Sequence, residues 1–358
     1  MTDNGNQKDE NVILDVSGLK KYFPVTGGAM RKVIGYVKAV DDVNFFVREG
    51  ETLGLVGESG CGKTTAGRAL LRVYEPTDGK VMFKSRTLST TGKPEWVNIR
   101  ELNKHQLKAV RQDISMIFQD PIGSLNPRMT VYGIITEPMV IHNKITPETE
   151  DYVIQLLERV GLRGEHIRRY PHEFSGGQRQ RIGIARSLAL NPQLIIADEP
   201  VSALDVSVQA QTLNLMNDLK ADFNLSYIFV AHDLSVVQHI SDRVAVMYVG
   251  RIAEIASSLA LFNNPLHPYT EALMSSVPRP NPRAQKTRII MEGDVADPGD
   301  PPPGCLFHPR CRYVQERCKI DIPEMRELKP DHFVACHFAD ELELTGVAEF
   351  EKYPFDTD

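Results

Sequence analysis

The chain has 358 residues, 41 Lys and Arg against 47 Asp and Glu, a formal net charge of −6 and five cysteines. That length allows one large core with an appendage, and the acidic balance argues against a generally basic nucleic-acid binder. No apolar stretch approaches the roughly 18 to 20 residues that span a bilayer, and the polar start Met1 to Glu10 lacks a signal-peptide core. The chain is therefore expected to be soluble in itself, with any membrane attachment made through partners.

In chain order, residues 1 to 11 read as a disordered start. From 12 to 260 short apolar runs alternate with helix-favouring runs, the pattern of an α/β core, with an antiparallel β part before and beside the first glycine-rich loop. Roughly 120 to 186 is helix-rich, and Thr146 to Val160 has amphipathic spacing. Ser85 to Lys104, which holds the only tryptophan, Trp96, is polar and reads as an exposed insertion. Residues 261 to 339 form a Cys-, Pro- and charge-rich appendage expected to be a small separate domain. The acidic end, 340 to 358, reads as disordered. No internal repeat is evident.

The first chemical motif is Gly57-Glu58-Ser59-Gly60-Cys61-Gly62-Lys63-Thr64. It follows the β-favouring run Glu51 to Val56 and precedes the helix-favouring run Thr65 to Leu71, the strand, loop and helix order of a phosphate-binding loop. Glycines let backbone N–H groups close on phosphate oxygens at a helix N-terminus. Lys63 suits the β- and γ-phosphates of a nucleotide, and the Thr64 hydroxyl suits Mg²⁺. Cys61 fills an unspecified position and reads as a small filler.

The second motif is the run Leu194 to Asp198, suited to a strand buried on both faces and ending in Asp198-Glu199. Two adjacent acids there are costly unless they meet cations or polar chemistry, and a helix cap explains only one of them. Asp198 suits Mg²⁺. His232 follows the apolar strand Tyr227 to Val230, where a histidine standing alone would read as structural.

Between these motifs lies Phe174-Ser-Gly-Gly-Gln178, in which Ser175 and the N–H groups of Gly176 and Gly177 can form an anion-binding nest at a helix start. The ordered triplet resembles the ATP-binding cassette (ABC) family. The resemblance implies a P-loop nucleotide-binding domain with a helical subdomain, binding ATP and Mg²⁺, with Glu199 polarising the attacking water. It implies that Gln119 is the Q-loop residue that senses γ-phosphate and Mg²⁺, that Ser202 to Asp205 is the D-loop, and that His232 is the switch histidine on γ-phosphate. Thr65 extends the phosphate contacts, and Tyr22 or Phe23 offers an adenine-stacking ring, with Phe23 the better match. Ser175 to Gln178 would close over ATP held by a partner's loop, so the chain is expected to act as half of a head-to-tail pair, with a second ABC ATPase that is expected to be a different chain.

Gly123 to Arg128, Pro200 to Ser207 and Asn264 to Leu273 further resemble the dipeptide/oligopeptide/nickel importer branch, over roughly 12 to 336. Arg68 and Asp205 to Gln209 look closer to its F-type than its D-type subunit. The resemblance implies a peripheral ATPase at the cytoplasmic face of the inner or plasma membrane, with two integral-membrane permease subunits and an extracytoplasmic solute-binding protein. Short peptides are the expected cargo, with a nickel chelate or oligosaccharide as alternatives. Repair and chromosome ATPases with the same signature carry long coiled-coil insertions, and translation-type ATPases normally carry two cassettes. This chain has neither.

Four cysteines, Cys305, Cys311, Cys318 and Cys336, fall in the appendage with Cys-x5-Cys-x6-Cys-x17-Cys spacing. Four thiols so close in a cytosolic chain suit a metal better than disulfides, yet the Cys-x2-Cys knuckle of most zinc ribbons is absent. The spacing resembles the iron–sulfur site of this importer branch and implies a [4Fe–4S] cluster, with Zn²⁺ as the alternative.

Overall fold

The computed structural model describes residues 11–27, 32–120, 123–276 and 289–347. Its strands are β1 (Val12–Gly27), β2 (Lys32–Arg48), β3 (Thr52–Val56), β4 (Asp78–Ser85), β5 (Glu95–Asn98), β6 (Ile114–Ile117), β7 (Leu194–Asp198), β8 (Ser226–Ala231), β9 (Arg243–Tyr248), β10 (Arg251–Ser257), β11 (Arg326–Lys329) and β12 (His332–Val334). The helices are α1 (Lys63–Leu70), α2 (Lys104–Val110), α3 (Val131–Ile141), α4 (Thr149–Arg159), α5 (Gly176–Leu188), α6 (Val206–Phe223), α7 (Leu234–Ile240), α8 (Ser258–Asn263), α9 (Pro268–Ser275) and α10 (Glu316–Ile320).

Two sheets organise the chain. An antiparallel sheet runs β2-β1-β4-β5, and a larger mixed sheet runs β11-β12-β10-β9-β3-β8-β7-β6. Within the larger sheet β9, β3, β8, β7 and β6 are parallel neighbours. These strands are apolar at successive positions because both of their faces are covered. In β8, Tyr227 and Phe229 enter one core cluster while Ile228 and Val230 enter another. The period of two thus divides one strand between two cores, one under the helices α3, α4, α5 and α6 and one under the antiparallel sheet and α1.

The amphipathic stretch expected at Thr146 to Val160 forms α4. Val153, Leu156, Leu157 and Val160 are buried on one side, and the Thr149 hydroxyl accepts the Thr146 N–H at 2.8 Å ahead of the helix. Three expectations need correction. Trp96 does not lie in an exposed insertion, because Glu95 to Asn98 pairs with β4 in register, Trp96 opposite Lys84.

The appendage is not a separate small domain. β12 pairs antiparallel with β10, β11 pairs with β12, and Phe307 is part of the main core. A segment short of apolar residues cannot fill a core of its own, and this one borrows the core of the cassette. Nor does the acidic end begin its disorder at 340. Asp340 pairs with Arg326 at 3.1 Å, and buried Val347 donates its N–H to the Phe262 carbonyl at 2.8 Å. The rest of that end, and nearly all of the expected disordered start, lie outside the described residues.

Polar contacts at the β10–α9 junction hold this attachment. Glu254, fully buried, accepts the N–H groups of Leu266 and His267 at 2.7 and 3.0 Å and lies 2.7 Å from His332 Nε2 on β12. His267 Nδ1 caps α9 by accepting the Tyr269 N–H at 3.0 Å, and its ring also bonds the Ala335 backbone. Burial pushes the His267 pKa down to about 4. An unfolded histidine takes its proton near pH 6.5, so the unfolded chain binds that proton first as pH falls. Stability is therefore predicted to drop by roughly 3 kcal/mol between pH 6.5 and 4 through this group alone. Urea titrations at pH 7, 6 and 5 should show a shallower pH dependence for His267→Asn than for the unsubstituted chain. An identical slope would remove His267 as the source.

Candidate active site at the carboxyl edge of the parallel strands

Parallel pairing aligns Val56 with Ala231 and Asp198 with Val230, so β3, β8 and β7 end at one edge of the sheet. The loop after each strand opens there, at the position where open α/β sheets hold ligands. After β3, the loop Gly57 to Gly62 turns into α1. Gly57 has φ 153° and Gly62 has φ 106°, and a Cβ at either would stand 2.1 Å from the Met247 carbonyl oxygen or 2.0 Å from that of Ala39. Only glycine lets this backbone pass so close to β9 and β2. Ser59 and Gly60 are exposed at the crest, while Cys61 is buried, with its thiol pKa raised by that burial, as suits a filler.

Lys63, buried, folds into the loop and donates to the carbonyls of Gly57 and Glu58 at 2.7 and 2.9 Å. The N–H groups of the first turn of α1, including those of Thr64 and Thr65, have no partner within the helix, as at any helix start. A cation beside such a turn makes a ready anion site. Next to it, the Thr64 hydroxyl donates to Asp198 Oδ1 at 2.7 Å. Asp198 Oδ2 is buried without a hydrogen bond among the described residues, and Arg68 stands 3.8 Å from it. Burial raises the Asp198 pKa. An orphaned buried carboxylate oxygen beside a threonine hydroxyl fits the oxygen-ligand chemistry of Mg²⁺.

Glu199 follows in the left-handed region at φ 45°, rare outside glycine. Its Oε2 accepts from Gln119 Nε2 at 3.0 Å and lies 3.2 Å from His232 Nδ1. Three loops, after β6, β7 and β8, thus bring the three predicted catalytic residues to one oxygen. Gln119 meets Glu199 rather than the Thr64–Asp198 pair.

The signature residues are built as a helix cap. Ser175 Oγ accepts the Gln178 N–H at 3.4 Å, and the Ser175 N–H donates back to Gln178 Oε1 at 3.1 Å. Gly176 is exposed with open space around its Cα, and Gly177 is pressed against Val208. Among the described residues, no hydrogen bond joins Ser175 to Gln178 to the phosphate loop of the same chain. Asp205 caps α6, accepting the Val208 N–H at 3.0 Å and the Ser207 hydroxyl at 2.7 Å. Tyr22 and Phe23 point to opposite faces of β1. The Tyr22 hydroxyl donates to Asp41, which Arg251 also holds at 2.7 Å, whereas Phe23 stands edge-on to Tyr74 at 5.5 Å. Of the two rings, Phe23 is the one not tied to the interior.

The four appendage cysteines line a single pocket. Burial, with their mutual proximity, raises the pKa values of Cys305, Cys311 and Cys336 to about 11. Each of these sulfurs accepts a backbone N–H from the residue two positions on, Phe307, Tyr313 and Phe338. Such donors favour thiolate over thiol, the form that ligates a metal. Among the described residues, however, no three His, Cys, Asp or Glu side chains are gathered as a metal ion requires.

Two residues absent from the expected site reach the phosphate loop from the C-terminal segment. Arg310 grips the Glu58 carboxylate through two bonds, 2.7 and 3.1 Å, and the Tyr269 hydroxyl accepts the Glu58 N–H at 2.9 Å. Tyr269 belongs to the run Asn264 to Leu273, whose residues gave no chemical signal of their own in the sequence. Gly62→Ala is predicted to destabilise the chain by about 3 kcal/mol or more, because strain at positive φ adds to a backbone clash. Gly60→Ala, with φ 81° but nothing within 4 Å of the added atom, should cost only about 1–2 kcal/mol in the same urea titration.

Comparison with known proteins agrees with this fold. A family model described as "ABC transporter" matches residues 40–202, and one described as "Oligopeptide/dipeptide transporter, C-terminal region" matches 253–318. The chain is 54% identical to the oligopeptide transport ATP-binding protein AppF of Bacillus subtilis, across 92% of this chain and 98% of that protein. It is 46% identical to the dipeptide transport ATP-binding protein DppF of Haemophilus influenzae, across 93% and 98%. The dimeric post-hydrolysis structure of the ATP-binding cassette MJ0796 bound to ADP and Pi shares the fold, with a TM-score of 0.57 at 24% identity over 69% of this chain and 99% of that one. Similarity of this degree, running through both the cassette and the segment after it, makes the chain a member of the ABC transporter family.

Proposed function

We propose that the chain is the ATP-hydrolysing motor of a membrane importer for short peptides, and that it works as one half of a head-to-tail ATPase pair. The observation that carries the catalytic part is the meeting of Gln119, Glu199 and His232 beside Lys63, Thr64 and Asp198. The peptide cargo is supported by the names of the oligopeptide and dipeptide transport relatives. A nickel chelate or an oligosaccharide would suit the same motor.

In this reading the phosphates of ATP lie along the first turn of α1, and Lys63 exchanges its loop carbonyls for phosphate oxygens. Thr64 and Asp198 would hold Mg²⁺, which supplies charge neutralisation of the phosphates. Glu199 takes a proton from the water that attacks the γ-phosphorus. The new P–O bond forms as the bond to the β–γ bridging oxygen breaks, and ADP leaves with its electron pair. Gln119 and His232 orient the Glu199 carboxylate and meet the γ-phosphate. Phe23 stacks on adenine. The Ser175 hydroxyl and the N–H groups of Gly176 and Gly177 would meet the γ-phosphate held by a partner ATPase.

No helix among the described residues is long and apolar enough to cross a membrane. In this reading attachment runs through two permease subunits at the cytoplasmic face, served by an extracytoplasmic solute-binding protein, as the peptide-transport relatives suggest. Cys305, Cys311, Cys318 and Cys336 would hold a [4Fe–4S] cluster, whose ligation fastens this segment. The convergence of the four on one pocket and the N–H bonds to three sulfurs support that reading.

Glu199→Gln keeps the shape but removes the base, and should lower ATP turnover of the assembled complex about 10²–10⁴-fold while ATP binding persists. Near-normal turnover would strip Glu199 of the role. For the cysteines, anaerobically purified chain should carry iron and sulfide near about four each, lost on Cys318→Ser. Stoichiometric zinc without iron would replace the cluster by a single ion, and metal-free protein would leave four plain thiols.

A further inference from the structure

We propose that Arg310 is a positioning residue for nucleotide: it neutralises the Glu58 carboxylate that the phosphate loop carries at its own mouth, and so makes nucleotide affinity depend on the cysteine segment. The proposal rests on the reading that Gly57 to Thr64 binds phosphate.

Every polar group of Glu58 is engaged. Its carbonyl accepts from Lys63 at 2.9 Å, its N–H donates to the Tyr269 hydroxyl at 2.9 Å, and its carboxylate takes both arms of Arg310 at 2.7 and 3.1 Å. The Arg310 side chain is 7% exposed and that of Glu58 24%, so water screens the pair only partly. A bidentate guanidinium–carboxylate contact fixes orientation as well as charge.

The chemistry of the loop explains why the charge needs cancelling. A phosphate-binding loop gathers N–H dipoles and one lysine around a polyanion, and a bare carboxylate in the same loop opposes that anion. With Arg310 in place the pair is neutral. Arg310 in turn has little freedom, because it ends a 3₁₀ turn, His308–Arg310, strung between two of the four cysteines. The His308 N–H donates to the Cys305 carbonyl at 3.0 Å and the Arg310 N–H to the Phe307 carbonyl at 3.0 Å. Phe307 itself packs against Tyr248 and Tyr269, with ring centroids 5.4 and 5.3 Å apart. The same aromatic cluster that seats the cysteine turn therefore aims the guanidinium and supplies the hydroxyl that holds the Glu58 N–H.

The test is a double-substitution cycle read by binding of a fluorescent ATP analogue to the full chain, with thermal unfolding as the folding control. Arg310→Ala should weaken binding about tenfold, since it leaves a partly buried carboxylate unpaired beside the phosphates. In the Glu58→Gln background the same substitution should change affinity less than about twofold, because the opposing charge is gone. Glu58→Gln alone, which leaves Arg310 cationic at the mouth, should bind a few-fold tighter, an effect that added salt diminishes. Equal losses on Arg310→Ala in both backgrounds would show mere packing support and overturn the proposal, as would Glu58→Gln binding more weakly than the unsubstituted chain. An unsubstituted chain that bound no nucleotide would instead sink the functional reading itself.

Discussion

The parallel register of β3, β8 and β7 is the constraint on which the site depends. Each strand is buried on both faces, and its alternate residues belong to different cores, Tyr227 and Phe229 to one and Ile228 and Val230 to the other. A slip of one residue would exchange those sets, sending a tyrosine and a phenylalanine where isoleucine and valine fit. Register is thereby fixed by packing throughout the strand, and the ends inherit it. Val56, Asp198 and Ala231 reach the edge together, and the residues that follow them face one another.

A second constraint joins the C-terminal segment to that site, and it is largely polar. Glu271, buried on α9, accepts from Arg312 at 2.9 Å, from the Tyr313 hydroxyl at 3.3 Å and from the Thr345 N–H at 2.9 Å. Glu254 does the same for β12 and the turn into α9. Buried acids of this kind add little net stability over apolar substitutes, but breaking one leaves an uncompensated charge. They make the docking of the segment all-or-none in geometry. The run His267 to Glu271 accordingly acts as a joint: His267 caps α9, Tyr269 reaches the phosphate loop and Glu271 receives the segment after the cysteines.

What could be read from the sequence follows the range of the forces involved. Gly57 to Thr64, Asp198-Glu199 and Ser175 to Gln178 are local arrangements of backbone and cap, so composition and spacing reveal them. The meeting of Gln119, Glu199 and His232 was legible only through resemblance, since each comes from a different loop. The Trp96 strand was missed because its partner β4 gives no sign of needing an edge, and β11 because Arg326-Glu-Leu-Lys329 is a polar edge strand with little hydrophobic alternation. Arg310 and Glu58 are separated by 252 residues, and nothing in either neighbourhood names the other. Between Tyr22 and Phe23 the resemblance already favoured Phe23, but the hold of Asp41 and Arg251 on Tyr22 had no sign in the sequence.

The site divides into parts of different stiffness. The path of the phosphate loop is set by backbone: Gly57 under the Met247 carbonyl, Gly62 under that of Ala39, and the Gly250 N–H donating to the Cys61 carbonyl at 2.9 Å. Lys63 and Glu199 are held by exchangeable polar contacts, Lys63 on loop carbonyls and Glu199 between an amide and an imidazole. A polyanion can replace the first set, and a water the second, without moving a strand. Preorganisation of this kind stores little strain except at Glu199, whose positive φ costs of order 1–3 kcal/mol. The sheet supplies that energy, because the Glu199 N–H donates to the Val230 carbonyl at 2.9 Å and prolongs the β7–β8 ladder by one bond beyond the strand. The register that places the acid is thus also what holds it in its unfavourable conformation.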